Sequence, residues 1–156
     1  MPTINLETYI NAPIQRVFDL ARSIDLHKNS AGGTDEKAVA GKTSELIKLG
    51  EKVTWRAKHF GIYQNLTVEV IEFSPPNMFV DQMIAGAFKF MKHTHSFKTI
   101  ETGTIMTDQF EFESPLGILG HLANILFLKK YMTRFLENKN KELKQVAESE
   151  LWRKYL

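Results

Sequence analysis

Apolar and polar residues alternate along most of this chain, and a period of two is typical of half-buried β-strands. The alternation predicts seven strands, at residues 3–10 and near residues 43–49, 52–60, 63–73, 78–84, 88–100 and 105–113. Turn-forming residues separate the later strands, among them Gly61 and the pair Pro75-Pro76. Because these connections are short, we expect the later strands to form an antiparallel meander.

Apolar residues recur at helical spacing in two other regions. Pro13 favours a helix start, and Val17 and Phe18 lie on the apolar stripe that follows, with a second short helix near residues 23–30. Residues 118–148 predict a long helix that is apolar all round at first and amphipathic later. We therefore expect an α+β fold in which a curved antiparallel sheet surrounds the C-terminal helix, with a hydrophobic cavity on the concave face.

The predicted hairpin at Thr102-Gly103 indicates which side chains face this interior. If Ile100 and Ile105 close it, the paired residues are Phe97 with Asp108, His95 with Phe110, and His93 with Phe112. Met91 and Met106 lie on the same, mostly apolar face. Three polar side chains, two imidazoles and one carboxylate, are then expected inside an apolar core.

Two further strands add inward-facing groups. A loop at residues 86–88 would place Asp81 opposite His93, with Phe79 and Met83 on the inner face. In residues 53–59 the polar side chains alternate outward, which turns Trp55 and His59 inward.

Buried polar groups without partners cost about 1–3 kcal/mol each, so the inward histidines and aspartates need partners or a ligand. A satisfied core network and a ligand-orienting set both fit this pattern. The residues expected to contact a ligand are Trp55, His59, Phe79, Asp81, Met83, Met91, His93, His95, Phe97, Met106, Asp108, Phe110, Phe112, Leu122 and Leu126.

The same groups leave an enzymatic alternative open. A pair formed by His93 or His95 with Asp81 or Asp108 is suited to general acid–base chemistry. One His-x-His pair is only half of a metal site, so no metal and no other cofactor is expected.

Length and composition limit the remaining options. The 156 residues fit one domain, residues 1–150, followed by a short tail, residues 151–156. The chain has no cysteine and a net charge of +2, which argues against a disulfide framework and a nucleic-acid partner. Lys139, with the neighbouring lysines and glutamates, is interpreted as part of a solvated helix face.

The N-terminus lacks a basic region followed by an apolar one, and no apolar run is long enough to span a membrane, so we expect a cytoplasmic protein. The apolar residues 118–128 followed by Lys129-Lys130 leave peripheral membrane contact as an alternative.

Several ordered motifs resemble a known superfamily over residues 4–148. They are Ile10-Asn11-Ala12-Pro13, Ser74-Pro75-Pro76, Phe79-Val80-Asp81, His93-Thr94-His95-Ser96-Phe97, Gly103-Thr104, Thr107-Asp108 and Pro115-Leu116-Gly117. The set resembles the START-like, or SRPBCC, helix-grip superfamily, and within it bacterial proteins of the polyketide cyclase/dehydrase type.

This resemblance implies a seven-stranded curved sheet around a long C-terminal helix and a cavity that binds hydrophobic small molecules or lipids. It carries over no catalytic set. We therefore predict a protein that binds a hydrophobic small molecule or lipid-like ligand. The alternatives are a cyclase or dehydratase using a His/Asp pair, and a membrane or protein interaction module.

Overall fold

The structure, a computed structural model, describes residues 1–29, 34–114 and 127–156. The strands are β1 (Thr3–Ile10), β2 (Lys37–Gly41), β3 (Lys52–His59), β4 (Ile62–Ser74), β5 (Met78–Ala85), β6 (Phe90–Ile100) and β7 (Gly103–Glu113). The helices are α1 (Ile14–Ala21), α2 (Ile24–Asn29) and α3 (Lys129–Ala147), followed by a 3-10 helix (Glu150–Lys154).

All strands join one antiparallel sheet in the order β1-β7-β6-β5-β4-β3-β2. Strands β2 to β7 therefore form the predicted meander, and β1 pairs with the last strand. The pairing register shifts once in β2, between Ala38 and Ala40, and twice in β4. Such bulges bend strands, which suits a sheet that curves around a helix.

The core lies between the concave face of the sheet and the helices. Phe18 of α1 is fully buried, and its ring contacts Phe73, Phe79 and Phe97 from three strands. Helix α3 buries one stripe, whose members are Met132, Leu136, Leu143 and Val146. The spacing of that stripe is the helical period predicted for this segment.

The second strand does not lie where the alternation predicts it. Residues 43–49 form an irregular segment, in which the backbone N–H of Ile47 donates to Arg22 O and Glu45 O accepts from the N–H of Ile24. Their backbone groups are thus partly satisfied by the α1–α2 connection. Strand β2 is instead Lys37–Gly41, a short edge strand that is mostly exposed and so has little hydrophobic alternation.

The register of the β6–β7 hairpin also differs from the prediction, by two residues. Ile100 pairs with Gly103, so the turn contains two residues, and His95 lies opposite Asp108. His93 then pairs with Phe110. The predicted closure at Ile105 was wrong because it assumed a longer loop, but a shift of two leaves every side chain on its predicted face.

The β5–β6 register is confirmed, since Asp81 pairs with His93. The connection spans residues 86–89, one residue more than predicted.

The C-terminal region is confirmed as helical where the structure describes it. The first part of the predicted helix, including Leu122 and Leu126, lies outside the described residues. After α3, the 3-10 helix packs Trp152 and Tyr155 against the α1 side of the core, so the tail lies against the domain. None of the described helices has the length and apolar character needed to cross a membrane.

Candidate ligand-binding cavity

A cavity of about 270 Å³ lies between the sheet and α3. Its wall is mostly apolar, with Trp55, Val70, Phe79 and Phe110 from the sheet and Leu136 from α3. This volume is slightly below the range of roughly 300–1,000 Å³ that is typical of small-molecule sites.

The polar end of the cavity is a network of two histidines and two aspartates. His95 donates from Nε2 to Asp81 Oδ2 at 2.9 Å, and its Nδ1 lies 3.5 Å from Asp108 Oδ1. His93 donates from Nε2 to the same Asp108 oxygen at 2.8 Å. Asn140 of α3 donates to the other oxygen, Oδ2, at 2.6 Å. The network thus links β5, β6, β7 and α3.

Aromatic stacking orients both imidazoles. The ring of His95 lies flat on Phe79, with centroids 4.1 Å apart and planes 14° apart. The ring of His95 also packs against the ring of His93, with centroids 3.7 Å apart. The two rings follow the backbone alternation of β6, which turns both side chains toward the interior.

This geometry favours an imidazolium at His95. Burial by itself lowers the pKa of His95, but the hydrogen bonds to Asp108 and Asp81 outweigh it and raise the pKa to about 9. Burial likewise tends to raise the pKa of each aspartate, yet hydrogen bonds from the imidazoles hold the pKa of Asp108 and of Asp81 below the ordinary value. At neutral pH the network therefore contains ionised carboxylates around a protonated His95.

A second polar group lies on the cavity wall where α3 meets the segment before β2. Lys139 of α3 forms an ion pair with Glu36, and only 14% and 7% of the two side chains are exposed. His27 of α2 donates from Nε2 to Ala21 O at 2.6 Å. Burial, assisted by the positive charge of Lys139, lowers the pKa of His27 to about 3, so this ring is neutral.

A third group of polar side chains connects β3 with α3. His59 Nδ1 and Tyr131 Oη share a hydrogen bond of 2.6 Å. Burial lowers the pKa of His59 and raises that of Tyr131, so both are uncharged at neutral pH. Phe60, about half exposed, packs at a tilted angle against Tyr131 and also contacts the exposed Phe127. Phe60 and Tyr131 line the cavity at this edge.

Most of the sequence-predicted site residues line the cavity. They are Trp55, His59, Phe79, Asp81, Met91, His93, His95 and Phe110. Asp108 lies behind the two histidines that it binds. Phe97 and Met106 are buried in the core beside α1, whereas Phe112 and Met83 belong to the core on the α3 side. Leu122 and Leu126 cannot be placed, since they lie outside the described residues.

Sequence reasoning missed several polar members of the wall, among them His27, Glu36 and Lys139. The assignment of Lys139 to a solvated helix face was wrong, because the side chain is buried against Glu36 and the rings of Trp55 and Phe135. Its position was readable from spacing, since residue 139 falls on the stripe that includes Met132 and Leu136. No comparable pattern marks His27 or Glu36.

Asp81, His93 and His95 also have potential metal-ligating atoms within 4.8 Å of one another. Both ring nitrogens of His95 face carboxylates in the structure. A metal ion would therefore have to replace a proton and the Asp81 hydrogen bond, so the observed arrangement is better suited to an ion-pair network than to a metal centre.

Solved structures confirm the fold. A Thermus thermophilus protein, TTHA0849, is 23% identical with a TM-score of 0.77, over 94% of this chain and 97% of that one. Ginseng major latex-like protein 151, from Panax ginseng, is 14% identical with a TM-score of 0.71, and the match covers 95% of this chain and 98% of that chain. A START superfamily protein from Mycobacterium smegmatis is 12% identical with a TM-score of 0.71, and the match covers 94% of this chain and 97% of that chain.

No curated protein is a significant match to this chain. A family model does match, over residues 1–148, and its description is polyketide cyclase/dehydrase and lipid transport. This match and the START-like neighbours confirm the resemblance seen in the sequence motifs. The chain belongs to the polyketide cyclase/dehydrase and lipid transport family.

Proposed function

We propose that this protein binds a hydrophobic small molecule in the cavity between the sheet and α3. The observation that carries the proposal is an apolar cavity of about 270 Å³ with a hydrogen-bonded polar group at one end. Apolar walls supply affinity in proportion to the area they bury, and a few placed polar groups orient the ligand. Membership of a family whose description includes lipid transport supports the same reading.

The state of His95 favours binding over general base catalysis. With a pKa of about 9 and both ring nitrogens directed at carboxylates, His95 has no lone pair to accept a substrate proton at neutral pH. A general base is most effective with a pKa near the operating pH. We therefore assign to the network the tasks of holding the strands and helix together and presenting polar atoms to the ligand.

Binding can be tested with the uncharged fluorescent probe N-phenyl-1-naphthylamine. The small side chain of Ala57 is buried and lines the cavity, so Ala57→Phe would occupy part of the space. We expect the wild type to bind the probe and Ala57→Phe to bind it at least about tenfold more weakly. Ala85→Phe, at an exposed position of β5, is the matched control and should bind normally.

Native mass spectrometry of the protein purified from its own host supplies the second readout, because a retained organic mass identifies the ligand class. Equal probe binding by the wild type and a folded Ala57→Phe variant would contradict the proposed site. Failure of the wild type to bind the probe or to retain any organic molecule would contradict the function.

A second candidate, peripheral membrane contact, is favoured by the aromatic edge of the cavity. Phe60 and Phe127 are 51% and 60% exposed and contact each other beside the exposed Lys129 and Lys130. Exposed apolar side chains next to basic ones fit an anionic lipid surface.

Co-sedimentation with vesicles of phosphatidylcholine and phosphatidylglycerol tests this candidate. We expect the double variant Phe60→Ser/Phe127→Ser to lose vesicle binding, while Leu151→Ser, a change at an exposed residue elsewhere, retains it. An absence of wild-type binding would reject the candidate and leave ligand binding in the cavity unaffected.

A further inference from the structure

Each cation in the described part of the cavity wall already has at least one carboxylate partner. Arg22 Nη2 lies 2.9 Å from Asp19 Oδ1, and Lys139 forms an ion pair with Glu36. His95 lies between Asp81 and Asp108, and neither ion pair of the histidine is longer than 3.5 Å. Each cation therefore has an anionic partner before any ligand enters.

The other histidines in the described part of the wall leave this pairing unchanged. His27 and His59 are neutral at pH 7, because burial lowers the pKa of each. His93 Nε2 lies 2.8 Å from Asp108 Oδ1, so this ring also faces a carboxylate.

An anionic ligand would meet an unfavourable environment in this cavity. Its carboxylate or phosphate would lose water and find no unpaired cation among the described wall residues, and an unpaired buried charge is strongly disfavoured. Taking Lys139 or His95 as a partner would leave Glu36, Asp81 or Asp108 without its own counterion. Leaving one member of a buried ion pair without its partner is strongly destabilising, because the remaining charge is buried and uncompensated.

The same cavity wall is a favourable environment for an uncharged ligand. Trp55, Phe79 and Phe110 offer aromatic surface, and Tyr131 and Asn65 bring hydroxyl and amide groups to the wall. Groups of this kind hydrogen-bond to hydroxyl and carbonyl oxygens without requiring charge.

We infer that the ligand is an uncharged aromatic or alicyclic molecule bearing hydroxyl or carbonyl groups, and that fatty acids and other organic anions are rejected. This inference rests on the proposed binding function and specifies its ligand class. The matched ion pairs of the wall are the feature that selects against anions.

Two compounds that share a ring system and differ in charge test the selection. Isothermal titration at pH 7 would compare 2-naphthylmethanol with 2-naphthoate. We expect the alcohol to bind at least about tenfold more tightly. Equal or tighter binding of naphthoate overturns the ligand class and leaves the proposed function standing, whereas binding of neither compound counts against both.

Removing the carboxylate partner of Lys139 should weaken the selection against anionic ligands. Glu36→Gln removes the anionic partner of Lys139, and we expect naphthoate to gain about tenfold in affinity while the alcohol changes by less than about threefold. Glu137→Gln, at an exposed position of α3, the helix that carries Lys139, is the matched control and should change the affinity for neither compound. A folded Glu36→Gln variant that still rejects naphthoate overturns the ion-pair explanation. If that variant does not fold, the wild-type comparison decides the question.

Discussion

The charge state of His95 depends on its two carboxylate partners. Asp81 and Asp108 approach opposite nitrogens of one ring, so both N–H groups are retained in the folded protein. In the unfolded chain the same imidazole titrates near pH 6.5. The difference between these two states makes the folding free energy depend on pH.

Because the pKa of His95 is raised to about 9 on folding, its contribution to stability is complete below pH 6.5 and is lost as the pH rises toward 9. We expect the free energy of unfolding to fall by about 3 kcal/mol across that interval. His27 acts in the opposite direction. With its pKa lowered to about 3, it reduces stability as the pH falls below 6.5. The stability maximum is therefore expected near pH 6.5.

Urea unfolding at a series of pH values measures this profile. His95→Gln should remove most of the loss between pH 6.5 and 9, and His59→Gln should leave that loss unchanged. A wild-type free energy of unfolding that stays constant over this interval would show that His95 is not held as an imidazolium.

At the scale of elements, alternation and turns control different features of the sheet. The alternating burial of β6 follows its sequence pattern, with Met91, His93, His95 and Phe97 on the buried face. The pairing partner of each residue depends on the turn, where a loop two residues shorter than predicted brought His95 opposite Asp108. The face of a strand that each side chain occupies follows from the local sequence pattern. The pairing register depends instead on how the chain closes each hairpin.

The C-terminal 3-10 helix is expected to contribute to stability through one side chain. Trp152 packs against the core, and the guanidinium carbon of Arg16 lies 4.2 Å from the centroid of one of its rings. We expect Trp152→Ala to lower the free energy of unfolding by about 1–2 kcal/mol, from lost burial and the lost cation–π contact. Chemical denaturation measures the change.

Leu151→Ala is the control, because Leu151 is 58% exposed and its truncation should change stability by less than about 0.5 kcal/mol. Equal effects of the two substitutions would indicate that the tail does not pack on the domain in solution.

For the whole molecule, the cavity follows from the shape of its two layers. Helix α3 covers the concave sheet with one stripe of side chains, and the remaining space is bounded by aromatic and aliphatic residues. A ligand that enters this space binds only the folded state, so binding must stabilise the fold.

Thermal unfolding tests this coupling with the same naphthylamine probe. At a concentration about 100-fold above its Kd, the probe should add about 2.7 kcal/mol of stability, which corresponds to roughly 5–10 °C in Tm for a chain of this size. The Ala57→Phe variant should show no such increase at the same probe concentration. A similar increase in both proteins would mean that the probe binds elsewhere.

The family, the antiparallel meander of the later strands and the inward faces of β3, β5, β6 and β7 were predictable from sequence. Hydrophobic alternation is a local pattern that burial imposes on each strand, and Trp55, Asp81, His93 and His95 follow it to the cavity wall. The exposed edge strand β2 was not predictable in this way, because a strand that buries little carries little pattern.

Only the tertiary structure decided which polar groups meet. Lys139 is 103 residues from Glu36 in the chain and still farther from His27, so their contact depends on how α3 crosses the sheet. The two-residue turn likewise determined that Asp108 binds both histidines. Sequence determined which strand side chains face the interior, because burial selects them one strand at a time. Tertiary packing determined the charge balance of the cavity, because an ion pair requires two distant segments to approach within a few ångströms.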